Sequence, residues 1–172
     1  MKIAILVDGG FYRKRAATVL GHLTAKQRAT ELYSYCNRHL KDTNYGDEVR
    51  HDLYRIFYYD CPPISKQVYH PQLKRTIDFS KSETKAWTED FFNELSHKRK
   101  VALRLGELSE GTVHYNLKPS STKRLLNNTI TVEDLTEKDF SLSMQQKGVD
   151  MRIGLDIASL AYKHQVDKIV LI

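Results

Sequence analysis

Four aspartates stand where a carboxylate can do chemistry. Asp8 closes the apolar run Lys2-Ile3-Ala4-Ile5-Leu6-Val7 and is followed by Gly9 and Gly10. Two glycines remove side-chain bulk and let backbone pass close to a ligand. Asp8 therefore suits a metal ligand or an acid, and a plain Asp-Gly turn explains it equally well. Asp150 precedes the helical run from Met151 and has the chemistry of an N-cap. Asp156 lies six residues on, about 9 Å along a helix axis, too far to share one ion directly with Asp150. It can instead orient a group behind the site, or be a solvated edge residue. Asp60 also ends a β-like run, but Cys61-Pro62-Pro63 after it points to a turn-stabilising role. Carboxylates gathered on one rim would hold Mg²⁺ or Mn²⁺, hard cations that take oxygen ligands, bridge phosphates and activate water.

The elements that must position these residues read clearly in outline. Lys2–Val7 has the unbroken aliphatic character of a strand buried on both faces. Residues 11–41 read as two helical pieces divided near Gly21–Thr24, with Thr24 as an N-cap. Residues 43–52 read as polar loop, Leu53–Tyr59 as a second strand, and the stretch to Lys81 as variable and polar. Ser82 or Thr84 caps a helix through Lys98, with Trp87, Phe91 and Leu95 at four-residue spacing. Val101–Leu105 is a third strand.

Residues 106–146 lack a long period and read as an insertion or loop region. Within them, 112–117 reads as a short strand and 120–128 as a polar, basic loop. A helix over 151–163 and a strand over 168–172 follow. On that helix, Ile153, Ile157, Leu160 and His164 form the expected buried stripe. The alternation predicts a single α/β domain over 1–172, with helices on both faces of a mainly parallel, Rossmann-like sheet. Such a sheet binds ligands beyond the carboxyl ends of its strands.

A net charge of +6 in 172 residues favours a polyanionic partner, nucleic acid first. Lys147, the run His97-Lys98-Arg99-Lys100 and the pair Lys123-Arg124 are the candidate phosphate contacts. Each also reads as an ordinary solvated charge. Two cysteines make no disulfide framework, and no segment reaches the ~18 apolar residues of a membrane span. A reduced, cytoplasmic protein with no membrane partner is expected. Cys36, His39, Cys61 and His70 match no paired zinc spacing and read as core thiols and surface histidines. Tyr54, Phe57, Tyr58 and Tyr59 read as core rather than base-stacking residues.

Three blocks together resemble the NYN domain family, PIN-like ribonucleases, most nearly their bacterial LabA-like branch. They are Ile5-Leu6-Val7-Asp8-Gly9-Gly10-Phe11, Lys147-Gly148-Val149-Asp150 with Asp156 beyond it, and Ile169-Val170-Leu171-Ile172. The resemblance implies a three-layer α/β/α PIN-like fold and divalent-metal-dependent endonucleolytic cleavage of RNA, with Mg²⁺ or Mn²⁺ as cofactor. It makes Asp8 the first acidic position, Asp150 the acid of the Lys-Gly-Val-Asp motif and Asp156 the further acid of that helix. Asp8 and Asp150 are the implied metal ligands. Gly10 departs from relatives that carry asparagine just after the first Asp.

The family's last strand runs into a Gly-Asp-Ser-Asp type motif that this sequence does not contain. The expectation is a C-terminally truncated domain with an incomplete set of acids. The alternative is a non-catalytic RNA-binding or regulatory module that keeps the fold; a homodimer stays open in either case. A phosphatase-like or nucleotide-binding enzyme fits poorly. The first strand ends without Asp-x-Asp, and no G-x-x-x-x-G-K-[ST] loop is present.

Overall fold

The aliphatic run at the start of the chain forms β1 (Lys2–Asp8) in the computed structural model, which describes residues 1–44 and 47–172. Ile3 through Val7 are all fully buried. A strand without polar alternation needs cover on both faces, and β1 has it. Ile3, Ile5 and Val7 enter one core, while Ala4 and Leu6 enter another. The chain then turns directly into α1 (Gly9–Leu20), which ends at Gly21 with φ of 71°. That left-handed backbone favours glycine. α2 (Ala25–Arg38) opens on the expected Thr24, whose side chain and that of Gln27 cap each other's backbone.

The stretch read as loop over 43–52 instead contains β2 (Lys41–Asn44) and β3 (Asp47–Arg50), paired antiparallel; residues 45 and 46 lie outside the described ones. Its pairing rests on backbone bonds and on ion pairs such as Lys41–Glu48 at 2.7 Å, so no hydrophobic pattern announces it. β4 (Asp52–Asp60) runs parallel to β1, with Asp8 opposite Tyr59. Phe57, Tyr58 and Tyr59 are buried there as expected for core.

The polar stretch after Pro63 carries a second hairpin, β5 (Gln67–His70) and β6 (Arg75–Asp78). Ser82 then caps α3 (Glu83–Ser96), where Trp87 and Phe91 stack with ring centroids 5.1 Å apart. β7 (Val101–Leu105) pairs parallel with β4.

Residues 106–146 fold as a small lobe rather than a loop. In chain order they form β8 (Glu107–Leu108), β9 (His114–Leu117), α4 (Pro119–Leu126), β10 (Phe140–Ser143) and β11 (Gln146–Lys147). β9 pairs with β10 and β8 with β11, both antiparallel. The segment read as loop over 120–128 is mostly α4. It is too short to show a period, and Pro119 in its first turn is the signal that marks it. A third core of Ile64, Val68 and Val113, with Phe79, Tyr115 and Leu142 against it, joins this lobe to the β5–β6 hairpin. His70 is buried there, not on the surface, 4.2 Å from the ring of Tyr115.

α5 (Val149–Tyr162) and β12 (Lys168–Leu171) complete a four-stranded sheet in the order β12-β1-β4-β7, parallel throughout. α1, α2 and α3 cover one face, and α5 packs on the other through Ile153, Ile157 and Leu160. This is the expected three-layer α/β/α architecture. The expected stripe fails at one position: α5 stops at Tyr162, and His164 sits beyond it, exposed, with φ of 48°. Among the described residues, no helix is long and apolar enough to cross a membrane.

Candidate functional site

Parallel strands of matched register end on a common rim. The Asp8 N–H donates to the Ile172 carbonyl at 2.8 Å, and Ile172 N–H donates to Leu6 O at 2.9 Å. On the other side of β1, Asp60 at the end of β4 pairs with Leu105 of β7. Two carboxylates therefore stand at the ends of adjacent strands. The third arrives on α5, whose N-cap is Gly148 with φ of 83°. The expectation of Asp150 as N-cap is corrected by this glycine. Its left-handed backbone starts the helix earlier and places Asp150 in the first turn, where the helix dipole still favours a negative charge. A cavity of about 480 Å³ is lined by Asp8, Gly10, Asp60, Gly148 and Asp150.

The three acids differ in how far they are committed. Asp8 Oδ1 accepts a hydrogen bond from Phe11 N at 3.0 Å, so the same residue ends the strand and caps the helix. Asp60 is fully buried and saturated. Its Oδ1 accepts from Arg13 Nη2 at 2.9 Å and from Cys61 N at 2.8 Å, and its Oδ2 accepts from the Tyr58 hydroxyl at 3.1 Å. Burial pushes its pKa above the usual carboxylate value. Arg13, the Cys61 N–H and the Tyr58 hydroxyl pull it back, and the nearby charge of Asp8 adds to the rise. Asp150 is exposed and makes no hydrogen bond or ion pair among the described residues.

Gly9 is what allows α1 to start so close to the sheet. A Cβ there would lie 2.5 Å from the Tyr58 hydroxyl and 2.6 Å from the Tyr59 carbonyl. Gly9→Ala should cost about 2 kcal/mol, as overpacking a rigid core does. The urea midpoint measures this, and an unchanged midpoint would contradict the contact. Gly106 plays the matching part opposite, where a Cβ would lie 2.6 Å from the Lys147 carbonyl.

Asp156 does not join the cavity. The Tyr59 hydroxyl donates to it at 2.8 Å and Arg104 pairs with it at 3.1 Å. Its place farther down α5 turns it towards β4 and β7, where it ties helix to sheet. Asp156, the further acid of that helix, stands outside the cavity lining and forms a positioning link between helix and sheet.

The basic residues also separate. Lys147, in β11, adjoins the cavity through Gly148 and is exposed. Arg99 and Lys100 precede β7 at the opposite rim, and Lys100 Nζ donates to the Leu53 carbonyl. A five-residue strand puts them about 16 Å from the acids. Lys123 and Arg124 sit on α4, where Arg124 pairs with Asp139 at 3.6 Å. Of the candidate phosphate contacts, Lys147 is the one next in sequence to a residue that lines the cavity.

Asp139 also accepts from Thr136 N and from the Ser121 hydroxyl, at 2.9 Å and 2.7 Å. These bonds lower its pKa to about 2. A depressed folded value means the contribution is present above the ordinary carboxylate pKa and is lost as pH falls towards about 2. The amide resonance of Thr136 should titrate with that midpoint; a midpoint near 4 would remove the network.

The sequence reading gave Asp60 a turn-stabilising role and passed over Arg13. Asp60 carried a usable signal, since it ends its strand as Asp8 does. Arg13 carried none, because its partner lies 47 residues away. Cys36 is buried in the main core, where burial pushes its thiol up to about 12. Among the described residues, no three His, Cys, Asp or Glu side chains come together closely enough to hold a metal ion. The residues present nevertheless fit Mg²⁺ or Mn²⁺ of a partly hydrated kind. Asp8 keeps an oxygen free of the helix cap, Asp150 is unengaged, and such ions bind through one or two carboxylates while retaining water. Compared with protein-family models, curated proteins and solved structures, the chain gives no match, so its reading rests on this geometry and on its sequence motifs.

Proposed function

We propose that this chain is a divalent-metal-dependent endoribonuclease domain, in keeping with its resemblance to the NYN family. The observation that carries the reading is the convergence of Asp8, Asp60 and Asp150 on one cavity at the carboxyl rim of a parallel sheet. Asp8 and Asp150 would hold Mg²⁺ or Mn²⁺. When bound, such an ion makes its water a nucleophile near neutral pH and offsets charge on a phosphodiester. Asp60 is the positioning acid: it holds the Arg13 guanidinium at the cavity edge and adds to the negative field. Lys147 supplies the adjoining positive charge for an RNA phosphate. Two buried thiols, unpaired, suit the reducing cytoplasm.

A second reading, an RNA-binding module without turnover, is favoured by one observation. Arg13 saturates Asp60 and leaves two free carboxylates in place of three. Incubating the protein with labelled RNA and Mn²⁺ separates the two. Cleavage in the wild type that is lost in Asp8→Asn and Asp150→Asn supports the nuclease. Equal rates in all three sink the metal-site assignment. Salt-sensitive binding with no turnover selects the module.

A further inference from the structure

We infer that a groove lined by Phe11, between α1 and α2, seats an unstacked base of single-stranded RNA. The inference rests on the reading of RNA as the partner, but not on catalysis. Phe11 follows Asp8 by three residues and is 61% exposed, although its backbone N–H is fixed on the Asp8 carboxylate. An exposed aromatic on a rigid helical turn is held out at a cost in hydrophobic burial, and it offers a flat face to a ligand. A groove of about 290 Å³ opens beside it, lined by Phe11, Arg15, Tyr35, Arg38 and Ile172 among others. That volume suits a base or nucleotide rather than a duplex.

The charges around the groove are those that a polynucleotide backbone needs. Arg15 lies one helical turn beyond Phe11 on the same face of α1. Arg38 lies over the Tyr35 ring, 5.1 Å from its centroid. Both guanidiniums are exposed, and neither pairs with a carboxylate among the described residues. The groove's own carboxylate, Glu31, is already satisfied by the Tyr12 hydroxyl and by Arg28 at 3.2 Å. An open aromatic face beside unpaired arginines is an arrangement by which single strands are bound, a base on the ring and phosphates on the cations. An apolar peptide would leave both guanidiniums unused.

Gly10 borders the acidic cavity, and Phe11, the next residue, borders the groove. A strand seated by one base on Phe11 therefore lies beside the acidic rim.

Fluorescence anisotropy of a labelled oligouridylate, measured in EDTA, tests this independently of cleavage. Phe11→Ala should weaken binding about tenfold, the typical loss for one base–aromatic stack. The double variant Arg15→Glu with Arg38→Glu should weaken it further and flatten the log Kd against log salt slope by about 1.4, for two phosphate contacts. Circular dichroism confirms that these surface variants are folded, and an RNA duplex should compete poorly. Wild-type affinity in folded Phe11→Ala and in the double variant overturns the groove, as does equal competition by duplex. Loss of binding in these variants from a protein that never cleaves RNA would uphold the groove while rejecting the nuclease reading.

Discussion

Asparagine at position 8 is expected to reduce Mn²⁺-dependent RNA cleavage by about a hundredfold or more while leaving the fold intact. Asp8 does two jobs, and the substitution separates them. Its carboxylate caps α1 through Phe11 N at 3.0 Å, a role that asparagine performs about as well as aspartate. Its charge faces the cavity shared with Asp150, and asparagine removes that charge. Even groups that touch a metal ligand only indirectly cost 10–100-fold when changed, so roughly a hundredfold is a floor for a ligand itself. Asp8→Ala should show the same loss and, in addition, about 1 kcal/mol of lost stability from the missing cap. Mn²⁺ titration by calorimetry gives a second readout, in which Asp8→Asn should bind far more weakly than wild type. If Asp8→Asn keeps full Mn²⁺ affinity, the ion is not held by Asp8 and the site must be drawn elsewhere.

Arg13→Met carries the largest expected effect on stability, about 3 kcal/mol near neutral pH. Asp60 is fully buried, and among the described residues Arg13 is its only cationic partner. Removing one member of a buried pair leaves a charge without compensation, which is far costlier than the pair itself was favourable. The Tyr58 hydroxyl and Cys61 N–H remain, which places the cost at the lower end of the range for such losses.

The pH dependence of this loss has a definite sign. Burial raises the Asp60 pKa in the folded state, and Arg13 is the largest influence holding it down. Without Arg13 it rises further. An acid whose folded pKa exceeds the unfolded one stabilises fully below the unfolded value, and that stabilisation is lost as pH rises through the folded value. The deficit of Arg13→Met should therefore shrink in mild acid, where Asp60 takes up a proton, and grow towards pH 8. Urea midpoints at the two ends check this. A deficit independent of pH would mean that the lost packing of the arginine stem, not the orphaned charge, is responsible.

How much of this was legible beforehand depended on the range of the interaction. The four strands of the sheet, the break at Gly21, the Thr24 and Ser82 caps and the inward faces of Ile153 and Ile157 are written in neighbouring residues. They follow from local steric and hydrophobic rules, and the three-layer architecture follows from their order. The paired strands of 41–44 with 47–50 and the hairpin of 67–78 were not legible, because their pairing rests on backbone bonds that polar residues make as well as apolar ones. The lobe over 106–146 was hidden for a related reason. Its small core takes Ile64 and Val68 from a stretch 45 to 49 residues upstream of Val113, and no local window contains both halves.

The candidate site divides along the same line. By itself the sequence determined that Asp8 ends a buried strand against two glycines and that Asp150 opens a helix, since both depend on adjacent residues. Tertiary structure decided which of the other charged residues join them. It brought Asp60 to the cavity and fixed it to Arg13, turned Asp156 away onto Tyr59 and Arg104, and put Arg99 and Lys100 on the far rim. The physical reason is that a carboxylate's role depends on which cations, hydroxyls and amides stand within about 3 Å of it. For Asp156 those groups come from β4 and β7, and for Asp60 the one cation comes from α1, so only the packing of helices on the sheet brings them within reach.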